Sequence, residues 1–461
     1  MIWRSKNIES SDGRQCLTNP KFLLYPAELY LASEFKTHDH EVRGTGFKHL
    51  TPVKEAIRIL FANLPSEPLS TETVSLSTTL GRILAEDITS LMDFPPVDKA
   101  AMDGLAVSAE DTYGATPSAP LFLKLVGKVD IGTIPDVHVG KGEAASIVTG
   151  GQMPERTNAV VMVEFTKTHE NGLVEIWSDV HPNENVARAG EDVQKGRLVL
   201  KRGTRALPQD IGMMSQLGLD EIRVVRKPRI AVLSTGNELS DGTLTPEKTP
   251  DANRPALISA VHELGCEAID LGIVSDDSNQ IRERLLLGLR SADIVIVTAG
   301  TSVGPEDDMP RIINSLGKPG MLVHGIAMRP SMPTGLAVVN GKPVISLPGY
   351  PVSAYLAFVE FVKPLVAHMV RSDFLPEPVI KAKLNRRIAG ILGSRTYVRV
   401  QVTLRNEEFT AEPVRTSGAG ILSSLVQANG FIIIPENAEG YEEGQAVNVQ
   451  LFRPYERQSL D

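Results

Sequence analysis

Three stretches of the chain share one pattern: an apolar run with no polar alternation, broken by a turn built from glycine, proline or hydroxyl residues. In the first, Ile294, Val295, Ile296, Val297 and Thr298 form a β-branched run of the kind buried on both faces of a parallel sheet. It opens into Ala299, Gly300, Thr301, Ser302, Val303 and Gly304, followed by Glu306, Asp307 and Asp308. Two glycines allow tight backbone turns there, and hydroxyls and free N–H groups beside carboxylates can cradle phosphate and metal. An ordinary strand-to-helix turn with a solvated acidic edge has the same composition. Residues 229–239, RIAVLSTGNEL, repeat the design, with Ser234, Thr235 and Gly236 at the turn and Glu238 just beyond. Residues 343–362 repeat it again, with 344–347 as strand, Pro348 and Gly349 in the turn, and Ser353 as the expected N-cap of a helix. Ligands of an open parallel sheet sit outside the carboxyl ends of its strands, so the three turns are expected to line one crevice.

Elsewhere the periodicity changes. Thr51 and Pro52 open a helix whose Val53, Ala56, Ile57, Leu60 and Phe61 share a face. Residues 80–88 read as a short helical piece, and Asp103 with Gly104 as a turn presenting a carboxylate. Short strands follow at 121–126, 145–148 and 160–165, the last pairing with 173–177 across Asn171 and Gly172, and Thr149 stands beside two glycines. Asp192 lies in a polar connection before strand 197–200, helix 208–217 and strand 221–225. Asp251 precedes a helix over 255–264. From 227 to about 371 helix, loop and strand alternate, which predicts a doubly wound parallel α/β sheet. After the prolines at 376 and 378 strands return at 397–404, 430–435 and 447–452, as a small β barrel or sandwich.

A chain of 461 residues is too long for a single core. Its net charge of −9, without long basic runs, argues against nucleic acid as a partner. Only Cys16 and Cys266 are present, with no C-x-x-C, which argues against a disulfide framework and a structural zinc site. No apolar run approaches the roughly 18 residues of a membrane span, and no signal-peptide core is visible, so the expectation is a soluble cytoplasmic protein with no membrane partner. Residues 1–50 are polar and weakly periodic, and read as disordered, loosely docked or an upstream start-site extension.

Taken in order, FPPVDKAAMDGLAV, IVTGGQMPERTNAVVMVE, RAGEDVQKG, LSTGNEL, DANRPAL, TAGTSVGPEDDM, MRPSMPTG and LPGYPVSAYL resemble the molybdopterin molybdotransferase family, MoeA and the E domain of gephyrin, over about residues 50–455. The resemblance implies a homodimer of elongated subunits. Each would have a split N-terminal scaffold domain (51–98 and 180–226), an inserted β domain (99–179), a molybdopterin-binding α/β domain (227–374) and a C-terminal β domain (375–455). The cleft would lie between the α/β domain of one subunit and the inserted domain of the other. It further implies insertion of molybdate, or tungstate, into adenylylated molybdopterin with release of AMP. Mg2+ is the implied cofactor, and other proteins of cofactor biosynthesis are further implied partners.

By the same resemblance Asp103, Glu238, Asp251, Asp307 and Asp192 are the acidic residues of the reaction, with Glu238, Asp251 and Asp307 toward the metal. Thr149 and the three turns (Ser234, Thr235, Gly236; Gly300, Thr301, Ser302, Gly304; Pro348, Gly349, Ser353) would bind the cofactor. The chain departs from the family's K-P-G-K-P, where it has Arg329, Pro330, Ser331, Met332 and Pro333. Arg329 keeps one cation and Met332 loses the other. Gly325, Ala299, Tyr350 and Ala419 also differ from the residues usual in that family. A non-catalytic molybdopterin-binding carrier or regulator is the rival expectation.

Overall fold

The computed structural model describes residues 47 and 49–457, apart from 243, 299–307, 373–376 and 416–417. Most of the polar arm read over 1–50 therefore lies outside the described residues. The centre of the fold is a six-stranded mixed sheet. Glu267–Val274, Arg229–Thr235, Ile294–Thr298 and Lys342–Leu347 lie side by side and parallel. Gly335–Val339 and Pro319–His324 then continue the sheet antiparallel, so the expected all-parallel sheet ends in an antiparallel edge. That hairpin needs only the short connections around 325–334 and 340–341, where a parallel return would need a crossover helix. The four parallel strands are apolar because helices cover both faces. Val261, Leu257, Phe358 and Phe361 pack on one side, and Leu285, Ile281, Ile312 and Ile313 on the other.

Helix Val53–Ala62, grouped with the scaffold by sequence, packs on this sheet instead, with Val53, Ala56 and Leu60 fully buried in the same cluster as Ile230 and Ile345. The scaffold itself joins distant segments. Thr71–Ser75 pairs with Glu221–Val225 and Ile88–Thr89 with Leu198–Leu200, over a core of Leu84, Met214, Ile222 and Val224. Residues 80–88 are not helical: Ile83 bridges Arg205 and Leu84 bridges Val224. Both side chains are buried there, and those pairings outweigh the local helical tendency.

The inserted domain is a six-stranded sheet in the order Ala159–Met162, Gly104–Val107, Glu143–Ile147, Leu121–Val129, Leu173–Ile176, Thr166–Thr168. The hairpin across Asn171 and Gly172 therefore uses 166–168 rather than 160–165, because Ala159–Met162 is taken by Gly104–Val107. The C-terminal strands close on themselves: Arg395–Arg405, Glu408–Arg415, Val379–Leu384, Ala446–Leu451, Gly430–Ile434 and back to Arg395–Arg405. This is a five-stranded barrel.

The segment Pro351–Val370 forms one helix of 20 residues, with a π turn at Phe358–Val362. Contrary to the expectation from sequence, it is long and apolar enough to cross a membrane. Its apolar face is spent in the α/β core, where Val352, Leu356, Phe361 and Leu365 are buried.

Candidate active site

Two clusters emerge, on different domains. In the inserted domain Asp103 precedes a strand whose first residue, Gly104, has no room for a side chain: a Cβ there would lie 1.9 Å from the Val161 carbonyl oxygen. Gly104 thus serves close strand packing more than a turn. The Asp103 carboxylate stays exposed and accepts from the Thr149 N–H at 2.6 Å and the Thr149 hydroxyl at 2.8 Å. First the amide and then the hydroxyl hold its pKa below the usual aspartate range. Both residues were named from the sequence, but not as a pair; the structure brings them together.

The second cluster lies at the carboxyl ends of the α/β strands. Ser234 and Thr235, expected to face a ligand, are fully buried and turned to the neighbouring strand. Ser234 Oγ lies 3.0 Å from Thr298 Oγ1, and Thr235 Oγ1 donates to the Thr298 carbonyl at 3.2 Å. A hydroxyl inside a fully buried strand must find a partner there. Gly236 is open for a different reason: a Cβ on it would meet both Glu238 carboxylate oxygens at 2.8 Å. The next loop returns as a two-residue parallel ladder, Leu239 on Thr249 and Ser240 on Pro250, which sets Glu238 and Asp251 at its two ends.

Asp251 does not stand free. Its Oδ1 accepts from the N–H groups of Asn253 (2.9 Å) and Arg254 (3.2 Å), capping helix Asn253–Glu263, while Arg254 Nε approaches Oδ2 at 3.4 Å. The buried Arg254 guanidinium also pairs with Asp241 at 2.6 Å and with Asp270. Three carboxylates from three segments therefore converge on one cation, and sequence reasoning found only Asp251 among them. Asp192 lies apart on the scaffold, its carboxylate held by Gln216 Nε2 at 2.9 Å.

Gly349 sits in the exposed turn after Pro348, its carbonyl 2.7 Å from Asn253 Nδ2. The helix beyond begins at Pro351, with Tyr350 as its N-cap residue, so Ser353 lies inside the first turn. Its hydroxyl is no cap; a proline at the first helical position already supplies a residue that needs no N–H partner. The Ser353 carbonyl instead receives the Ser331 hydroxyl at 2.7 Å. That bond anchors the 328–333 loop, where Ser331 holds φ +98 and Arg329 is exposed, with no ion pair among the described residues. Met332 is half-buried and its carbonyl accepts from Ile326 N–H at 2.7 Å.

The barrel closes the far side. Met328 and Arg329 pair with Arg395 and Thr396, the Ala419 carbonyl accepts from Val352 N–H at 3.1 Å, and the Tyr350 ring lies over Gly420. Gly300, Thr301, Ser302, Gly304 and Asp307 lie outside the described residues. Among the described residues no three histidine, cysteine or acidic side chains gather as a metal site. Asp251, committed to Arg254 and a helix end, fits a cation poorly.

Comparison with known proteins accounts for nearly all of the chain beyond residue 50. Residues 51–218 match the MoeA N-terminal region (domain I and II), 231–368 a probable molybdopterin binding domain, and 381–452 the MoeA C-terminal region (domain IV). The chain belongs to the MoeA family. A putative molybdopterin biosynthesis protein of Methanocaldococcus jannaschii is 37% identical over 419 residues, covering 88% of this chain and 99% of that relative. A protein of Bacillus subtilis named molybdopterin molybdenumtransferase is 32% identical over 408 residues, covering 87% of this chain and 94% of its own length. The crystal structure of the molybdopterin biosynthesis MoeA protein from Pyrococcus horikoshii OT3 superposes with a TM-score of 0.76 at 34% identity, covering 88% of this chain and 100% of that one. Membership places the chain in molybdenum-cofactor biosynthesis. Within a MoeA architecture the two clusters fall on the inserted domain and on the molybdopterin binding domain.

Proposed function

We propose that this chain is a molybdopterin molybdotransferase. It takes adenylylated molybdopterin and molybdate or tungstate, cleaves the phosphoanhydride, releases AMP and leaves the metal on the dithiolene. It works as a cytoplasmic homodimer, in which the inserted domain of one subunit faces the α/β crevice of its partner. The observation that carries this reading is the presence of an exposed Asp103 on one domain and an exposed Arg329 on another, each on a turn fixed by its own hydrogen bonds.

In this reading Arg329 holds the pterin phosphate through paired guanidinium hydrogen bonds. The Gly349 turn and the N-terminus of helix Asn253–Glu263 border the pterin, and Asp103 and Glu238 present negative charge toward the oxyanion transfer. An Mg2+ ion at Glu238, Asp251 and Asp307 would require Asp251 to leave Arg254, and the roles of Asp103 and Arg329 do not depend on it. The test is incubation of the purified protein with adenylylated molybdopterin and either oxyanion, following AMP and dithiolene-bound metal. Stoichiometric AMP with metal transfer is the expected result. Tight binding of molybdopterin with no AMP would instead favour a carrier, for which the loss of a cation at Met332 already speaks.

A further inference from the structure

Asn253 begins helix Asn253–Glu263 and is nine-tenths buried, at 9% exposure. Its Nδ2 donates to the Gly349 carbonyl at 2.7 Å, and because a carbonyl can only accept, the two ends of the amide are fixed. Oδ1 therefore points the other way, where it is closed off from solvent and has no hydrogen-bond partner. Buried acceptors are normally satisfied; an orphan weakens the fold relative to an apolar side chain of similar volume. Such a cost is tolerated where a ligand supplies the missing donor.

Two occupants suit an amide oxygen: a cation or an N–H group. The surroundings decide between them. Charge does not separate them, since Asp251 caps the first amides of the helix and the adjacent Arg254 guanidinium is already paired with Asp241, Asp251 and Asp270. Ligand number does: a divalent cation needs several ligands, and among the described residues no three histidine, cysteine or acidic side chains gather to hold one, whereas a neutral N–H donor needs a single acceptor. The amino-pyrimidinone ring of a pterin carries such a donor as its exocyclic amino group. We propose that Asn253 is a specificity-determining residue of the crevice, its Oδ1 accepting from the exocyclic amino group of the pterin once ligand entry parts the groups that cover it. The Gly349 carbonyl holds the amide in the orientation that makes this possible. The inference rests on the molybdotransferase reading, since that reading brings a pterin to the crevice.

The test compares wild type with Asn253→Leu, which keeps the volume and removes the acceptor, and with Asn253→Asp, which keeps an acceptor. Asn253→Ser, whose shorter side chain draws the acceptor back from the ligand, is run alongside in case leucine disturbs the packing. Each is titrated with molybdopterin by fluorescence, with a simple pterin, and with the matching dioxo ring in which a carbonyl replaces the amino group. Urea unfolding is measured in parallel. Wild type should bind the amino ring at least tenfold tighter than the dioxo ring. Asn253→Leu and Asn253→Ser should lose that discrimination, Asn253→Leu should unfold no more easily than wild type, and Asn253→Asp should keep most of the affinity. If wild type binds molybdopterin and the leucine and serine variants discriminate as well as it does, the assignment of Asn253 is wrong. If wild type binds no molybdopterin, the molybdotransferase reading fails first.

Discussion

At the scale of single residues, Arg329 and Thr149 carry the sharpest tests. Arg329 is exposed and, among the described residues, makes no ion pair, so its charge is available to a phosphate. Arg329→Ala should weaken molybdopterin binding by about 2 kcal/mol, the range for a hydrogen bond to a charged group. Met332→Lys, restoring the second cation, should tighten binding, and equilibrium titration of both variants checks the pair. Thr149→Val removes the hydroxyl from Asp103 but keeps the stronger amide bond. The Asp103 pKa should then climb toward the ordinary range, and the acid limb of AMP release should move to higher pH. An unmoved limb would take Asp103 out of the reaction. Both residues were legible in the sequence because their motifs are local. Asn253 and Arg254 were not, since their partners Gly349, Asp241 and Asp270 come from other segments.

At the scale of elements, the strand ends were legible, as were the starts of helices Val53–Ala62 and Pro208–Gln216, but the start of the helix at Pro351 was not. Fully buried β-branched runs announce themselves, but Ser353 looked like a cap only while the role of Pro351 at the helix start was unseen. The π turn at Phe358–Val362 is also invisible to periodicity. It carries Glu360, set toward the barrel, where it pairs with Arg395 at 2.5 Å and with the Tyr397 hydroxyl. Burial is the largest influence on this carboxyl and raises its pKa despite the attraction of Arg395. Below the ordinary glutamate pKa of about 4.3, native and unfolded states both hold the proton. As pH rises the unfolded chain releases it first, so this contribution to stability is lost until the native group ionises too. The stability of wild type relative to Glu360→Gln, from urea titrations at successive pH values, should therefore fall from about pH 4.3 upward and then level off. A difference independent of pH would mean that Glu360 titrates as it does in the unfolded chain. Since Arg395 and Thr396 pair with Met328 and Arg329, loosening this contact should also reach the 328–333 loop.

At the scale of the whole molecule, the α/β centre and the strands on either side of it were legible from their periods and the split scaffold only through the family resemblance, while the docking of helix Val53–Ala62 on the α/β sheet depends on tertiary packing alone. The proposed reaction needs Asp103 and Arg329 on one substrate, although the hydrogen bonds fixing each run within its own neighbourhood. In the proposed dimer, the inserted domain of one subunit serves the crevice of the other, and this has an arithmetic consequence. Asp103→Asn and Arg329→Ala each impair both clefts of a homodimer. In a heterodimer of the two, one cleft carries both lesions, and the other combines a wild-type inserted domain with a wild-type α/β domain. Random exchange makes half of the dimers mixed, each with one intact cleft, so an equal mixture should recover about a quarter of wild-type AMP release. A cleft within one subunit predicts no recovery, because every site then keeps one lesion. Separately tagged variants, co-expressed and purified through both tags, should therefore regain about half of wild-type activity; mixed dimers as inactive as their parents would rule out a shared cleft.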